Sequence, residues 1–350
     1  MKSKALFCVV GCVAFSALAP GQPLTGEAQR TACEPPANAG GRGPAQPQVP
    51  RQVTVTAIPG VIAAGATFTQ VWQTVGNNAD GIIALADGSV LVNQEDSAAV
   101  IKLDKDDKVS VFLSGTNGSG TLSLNTRGQI LAVQRVPQPN TPAAAQPSAP
   151  RVAGISMLYP ERRMIADTYS DGTKWMGRPN DLATDSSGGA YFSQGCVYYA
   201  SSDGKITIAA ENIRSNGIVL SADEHTLYVT NGGTLSVFDS ASPGKLTNRR
   251  EWKLEAGGNP DGTTVDAAGR VYVASAPGVQ VFSAQGQYLG LIPTPRALTG
   301  VVFAGPDKKM LYVVGQGSTD GNGQASVAGA TGRTIYRIPV LAEGLKGRSK

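Results

Sequence analysis

Beyond residue 70 the chain is written in short runs where apolar and polar positions alternate, and the runs come in pairs joined by Asp, Asn and Gly. Six pairs share one layout: DGIIALADGSVLV (80–92), SGTLSLNTRGQILAV (119–133), NDLATDSSGGAYFS (180–193), NGIVLSADEHTLYVT (216–230), DGTTVDAAGRVYVA (261–274) and TGVVFAGPDKKMLYVV (299–314). Period-two alternation between turn residues predicts strands. The second residues of the copies, Gly81, Gly120, Asp181, Gly217, Gly262 and Gly300, recur at about forty residues with one wider gap, the period of a four-stranded propeller blade. Further hairpins follow at 100–113, 197–210, 235–254 and 279–292 and supply outer strands. The expected fold is therefore an all-β, six-bladed β-propeller in a single domain over residues 51–343. The alternating segments VTVTAI (53–58) and TIYRIPV (334–340) stand at its two ends, where a blade built from both termini would close the ring and leave no open sheet edge.

In such a ring, residues at the same phase of each repeat share a height and a radius. The first residues are Asp80, Ser119, Asn180, Asn216, Asp261 and Thr299, and all carry side-chain oxygen. Asp80, Asn180, Asn216 and Asp261 form a candidate metal site whose all-oxygen character suits Ca²⁺, with Mg²⁺ or Mn²⁺ as alternatives. Asn-Gly and Asp-Gly are also ordinary turn dipeptides, but turn chemistry gives no reason for a common phase. Strands that return to the same end make Gln94, Glu95, Gln194, Asn231 and Ser275 candidate mouth residues. The Pro- and Ala-rich insertion 134–152 is either a lid over that mouth or a plain solvent loop.

Abundant glycine (43) and proline (22) suit many short strands. A net charge of +4 with scattered Lys and Arg points to neither nucleic acid nor an anionic membrane surface, and the tail GLKGRSK reads as a solvated end. Residues 1–19 have the basic start, apolar stretch and small residues of a signal peptide, with cleavage expected between 19 and 28 and a secreted or periplasmic protein as the result. A lipid anchor at Cys12 is the lesser alternative. No segment has the length of a membrane span. Residues 20–50 have a disordered leader's composition, so Cys33 and Cys196 are expected to be two unpaired thiols. The single histidine, His225, falls in a turn, which argues against a Ser-His-Asp triad or a His-based zinc site.

Arg178-Pro179-Asn180-Asp181, SNGIVLSADEHTLYV, NPDGTTVDAAGRVYV, GVVFAGPDKKMLYVV and the closing TIYRIPV together resemble the regucalcin/gluconolactonase (senescence marker protein) family over roughly residues 75–340. The resemblance implies a six-bladed propeller holding one divalent cation near its axis, Ca²⁺ or Zn²⁺, and hydrolysing sugar lactones; a related group cleaves organophosphates. It gives Asp261 the role of metal ligand and of general base or nucleophile, and Asn216 that of an amide ligand. Asn180 becomes a ligand or substrate contact, and Arg178 a holder of substrate oxygens. Three positions depart from the family: Asp80 for Glu, Ser119 for Asn, and Gln194, a candidate substrate contact, for Asp. The expected function is a metal-dependent lactonase, a monomer acting on a small molecule. Alternatives are a phosphotriesterase or aryl esterase, or a non-catalytic propeller that binds carbohydrate or protein.

Overall fold

The computed structural model describes residue 33 and residues 49–74, 79–116, 118–137, 139–145, 152–175, 177–320 and 332–348. All of them fall within one compact unit, Cys33–Lys350. The expected signal peptide and most of the leader lie outside the described residues, as do positions 138 and 146–151 of the insertion. Every named element is a strand.

Strand β1 (Thr69–Thr74) is set aside for the last sheet. The first repeat makes β2 (Ile82–Ala84), β3 (Val90–Gln94), β4 (Ala99–Leu103) and β5 (Val109–Ser114), an antiparallel sheet in that order. The second makes β6 (Ser119–Leu124), β7 (Ile130–Gln134), β8 (Gly154–Tyr159) and β9 (Arg163–Ala166) in the same way. Next come β10 (Thr168–Tyr169), β11 (Leu182–Thr184), β12 (Ala190–Ala200), β13 (Lys205–Leu220), β14 (Thr226–Asn231), β15 (Thr234–Ser242) and β16 (Lys245–Lys253), a seven-stranded sheet holding both the third and fourth repeats. The fifth repeat makes β17 (Thr263–Val265), β18 (Val271–Ala274), β19 (Gly278–Phe282) and β20 (Tyr288–Pro293). The sixth makes β21 (Leu298–Ala304), β22 (Met310–Gln316) and β23 (Arg333–Pro339), and β1 pairs with β23 to finish its sheet.

Among the described residues there are thus four separate four-stranded sheets and one of seven strands, where six separate blades were expected. The join is β13: its first half pairs with β12 at Ala210↔Val197, and its second half pairs with β14 at Ile218↔Val229. One unbroken sixteen-residue strand serves as an outer strand of the third repeat and the inner strand of the fourth. The terminal strands do share a sheet, but the N-terminal partner is 69–74. Residues 53–58 are not a strand; Val55 and Ile58 instead bury themselves among Tyr272, Val279, Phe303 and Tyr336 of the last two repeats.

Alternation along the inner strands explains how the sheets associate. Ile82 and Ala84 pack with Val302 and Val314 of the sixth repeat, whereas Ile83 between them packs with Leu122 and Ala132 of the second. Successive residues of one strand point to opposite faces, so each repeat glues itself to two neighbours. Further apolar layers join second to third, third to fourth, fourth to fifth and fifth to sixth repeats. Each buried Val, Leu or Ile in these layers contributes about 1.5–3 kcal/mol. The result is an all-β propeller whose last sheet packs against its first.

Two expectations about the chain ends are overturned. Cys33 and Cys196 form a disulfide with Cα atoms 5.2 Å apart. Cys33 is buried against Trp175, Phe192 and Tyr198, so apolar packing fixes a residue whose surrounding composition suggested none. The described part of the C-terminal tail is held to the fold at several points, although Lys346 and Gly347 are exposed. Glu343 O accepts from Ala267 N–H (2.8 Å), Gly344 N–H donates to Lys308 O (2.8 Å), and the buried Arg348 donates to Leu220 O (3.0 Å) and Glu224 Oε1 (3.1 Å).

Candidate functional site

The starts of the six repeats touch one another in sequence. Gly81 packs on Thr121, Thr121 Oγ1 donates to Asn180 O (2.7 Å), and Asn180 Nδ2 donates to Asn216 Oδ1. Gly217 abuts the Asp261 carbonyl, Gly262 N–H donates to Thr299 O (3.0 Å), and Gly300 rests on the Asp80 carbonyl. This closes a circle of backbone. A Cβ on Gly81 would lie 2.8 Å from Thr121 Cα, on Gly262 2.8 Å from Thr299 O, and on Gly300 3.0 Å from Asp80 O, so the repeated glycine is required by close approach. The third repeat has Asp181 there instead, and its carboxylate accepts the N–H groups of Leu182 (2.9 Å) and, across the join, Ile218 (3.0 Å).

Within the circle a buried guanidinium organises the polar groups. Arg135, at the end of β7, has a side chain only 4% exposed. Its Nε donates to Pro179 O (2.7 Å), and its Nη2 to Asn180 O (2.9 Å) and Asn180 Oδ1 (3.0 Å). Its Nη1 pairs with Glu95 and stands 4.0 Å from Asp80 Oδ2. Burial works against the charge on Arg135, but Glu95, Asp80 and Asp181 outweigh it and hold the pKa above its ordinary value. The other oxygen of Glu95, whose side chain is 3% exposed, holds Arg178. Arg178 itself is 42% exposed, the accessible end of an Arg–Glu–Arg chain. On the opposite side Arg333 Nη2 lies 3.5 Å from Asp80 Oδ1.

Each residue singled out from the sequence has a definite place. Asp80, Asn180 and Asn216 are linked through Arg135 and the amide–amide hydrogen bond, and Asp261 follows Asn216 around the circle, with its backbone N–H on Ala274 O (2.8 Å). Gln194 lies beneath Gly177, with its Oε1 buried and lacking a hydrogen-bond partner among the described residues. Ser119 is fully buried and donates to Asn93 Oδ1 (2.8 Å), which removes it from the oxygen ring. Of the mouth candidates, Ser275 is spent on Gly278 O (2.7 Å), Asn231 accepts from Arg214 N–H (2.8 Å), Gln94 donates to its neighbour's carbonyl, and Glu95 belongs to the site. Arg135 and Arg333 carried no motif, because their partners lie 40 to 253 residues away in sequence.

The Asn180 oxygen accepts from Arg135 at 3.0 Å, whereas Asp80 meets Arg135 and Arg333 only at 4.0 and 3.5 Å and the Asn216 oxygen accepts from the Asn180 amide, so the donor chemistry suits a hard cation best at Asp80, Asn216 and Asp261. Among the described residues no three His, Cys, Asp or Glu side chains are grouped to hold a metal.

Comparison with known proteins places these residues in a wider group. The SMP-30/Gluconolactonase/LRE-like region matches residues 163–316, which include Arg178, Asn180, Asn216 and Asp261. A pentonolactonase of Haloferax volcanii is 30% identical over 205 residues, 53% of this chain and 68% of that protein. A gluconolactonase of Zymomonas mobilis is 29% identical over 163 residues, and there the match spans 38% of this chain and only 45% of the relative. A solved gluconolactonase from Xanthomonas campestris shares the fold with TM-score 0.63 at 20% identity, covering 85% of this chain and 99% of its own.

Proposed function

This chain belongs to the SMP-30/gluconolactonase/LRE-like family, and from that premise we propose that it hydrolyses sugar lactones with one divalent cation held at the circle of repeat starts. The observation that carries this reading is the run of contacts around the repeat starts, from Asp80 through Arg135 and Asn180 to Asn216 with Asp261 next on the circle, beside the exposed Arg178 that Glu95 holds. Asp80, Asn216 and Asp261 would hold the cation, and Ca²⁺ is the first choice for an all-oxygen set, with Zn²⁺, Mg²⁺ and Mn²⁺ behind it. A bound divalent cation supplies a Lewis acid for the lactone carbonyl and acidifies water.

The chain's own groups do the rest. Asp261 would accept the proton of the attacking water and return it to the lactone's ring oxygen as the acyl C–O bond breaks. Arg178, anchored by Glu95 through one nitrogen, keeps other donors for the substrate's hydroxyl oxygens. Asn180 gives one amide hydrogen to Asn216 and retains a second for a substrate oxygen. We count the seven-stranded sheet as two blades joined through β13, which makes six. The Cys33–Cys196 disulfide supports export to an oxidising compartment, in keeping with the signal-like N-terminus.

A direct test strips the purified mature chain with chelator, restores Ca²⁺, Zn²⁺, Mg²⁺ or Mn²⁺ singly, and screens sugar lactones, aryl esters and phosphotriesters. Lactone hydrolysis lost on stripping and regained with one cation is expected. Turnover confined to phosphotriesters, or sugar binding without turnover, overturns the reading.

A further inference from the structure

We propose that Arg135 is a positioning residue that sets the polarity of the Asn180–Asn216 amide pair, and thereby decides that Asn216 offers its oxygen at the site. The inference rests on the functional reading above for its consequence, and on geometry alone for its cause. A guanidinium has five donors and no acceptor, so the Asn180 atom 3.0 Å from Arg135 Nη2 must be the amide oxygen. The Asn180 NH₂ is then the group that meets Asn216, and the Asn216 atom receiving it must in turn be oxygen. A flip of either amide would set donor against donor or acceptor against acceptor.

Arg135 is itself locked. Nε and Nη2 hold the Pro179 and Asn180 carbonyls, and Nη1 holds Glu95, so the fork cannot turn without leaving buried groups unpaired. This arginine follows β7, outside the family-matched segment. It reaches across from the second repeat to orient residues of the third and fourth.

The test separates polarity from mere support. Arg135→Gln replaces a donor-only group by an amide that can present either atom, whereas Arg135→Lys stays donor-only. Cation affinity, read by calorimetry, is expected to fall about tenfold in Arg135→Gln, a change of about 1.4 kcal/mol, and by less than threefold in Arg135→Lys. In an Asn216→Asp background, where both side-chain atoms are oxygen, Arg135→Gln should change affinity less than twofold. An equal loss in both backgrounds makes Arg135 only a structural support and overturns the proposal, as does no loss in either.

A second readout needs neither cation nor substrate. In chain labelled with ¹⁵N-asparagine, the Asn180 side-chain resonance, identified by its disappearance in Asn180→Asp, must shift and exchange faster in Arg135→Gln while the backbone spectrum is retained. An unmoved resonance overturns the proposal even if the chain binds no cation, an outcome that would count separately against the lactonase reading. Should Arg135→Gln fail to fold because buried Glu95 loses one of its two arginines, Arg135→Gln/Glu95→Gln removes that charge pair together and carries the same measurements.

Discussion

Asp261 and Arg178 sit on one circle yet should fail differently when removed. Asp261→Ala deletes both a cation donor and the proposed proton acceptor, so kcat/KM on a lactone should drop at least about a hundredfold, given that cation charge stabilisation is worth several kcal/mol. Unchanged turnover at saturating cation would exclude that role. Arg178→Ala should instead raise KM about tenfold, the scale of a lost hydrogen bond to a charged group, while Glu95 keeps Arg135 and the fold survives. A matching loss in kcat would show that Arg178 acts on the reaction itself. Asn180, Asn216 and Asp261 were singled out because each stands at one phase of a repeat, and Arg178 because Arg178-Pro179-Asn180-Asp181 resembles the family's motif. Arg135 and Arg333 were not, since a pairing across 40 or 253 residues leaves no local trace. The oxygen ring was also read too broadly: Ser119 has the right phase, but Asn93 captures it.

At the level of strands and turns, stability has two separable handles. In the turn between β2 and β3, partial burial would raise the Asp87 pKa, but Lys102 (2.7 Å) and the Ser89 N–H (3.0 Å) and hydroxyl outweigh it and hold the value at about 2. A carboxyl depressed in the folded chain binds fewer protons there than when unfolded. Its stabilisation is therefore complete above the ordinary value near 4 and is lost as pH falls toward 2. Urea melts between pH 5 and 2 should show a shallower decline in Asp87→Asn than in the parent; parallel curves would contradict this. The second handle is the disulfide. It joins residues 163 apart, and Cys196→Ser should lower unfolding free energy by roughly 2–5 kcal/mol, seen as a reduced melting temperature that reductant reproduces in the parent but not in the variant. Alternation and turn residues made the strands of the six repeat pairs and four outer hairpins legible, whereas β1, β8, β9 and β10 went unread and 53–58 alternates without forming a strand. The leader misled because composition reports average packing ability, and a single cysteine docked on Trp175 and Tyr198 does not alter an average.

Over the whole molecule, the inner strands run between two differently built ends. Asn216, at the site, lies four residues before Leu220, where Arg348 of the tail is bonded. Burial lowers the Arg348 pKa despite Glu224, and its bonds to Leu220 O and Glu224 Oε1 tie the tail to the fourth repeat. Arg348→Ala should therefore reduce stability by about 2 kcal/mol yet leave kcat/KM on a lactone within twofold; a large catalytic loss would mean that the tail communicates with the site. The seven-stranded join was hidden from the sequence because two repeats that share one continuous strand read the same as two that do not. At the site end, the glycines that follow five of the six first residues impose a different limit. At Gly81, Gly217, Gly262 and Gly300 backbone meets the backbone of the next repeat, so the girth of the mouth is set there by the main chain and a side chain added at any of them would push the collar apart. Changes of substrate range, by drift or by design, are thereby channelled to the residue one place upstream and to the loops above it.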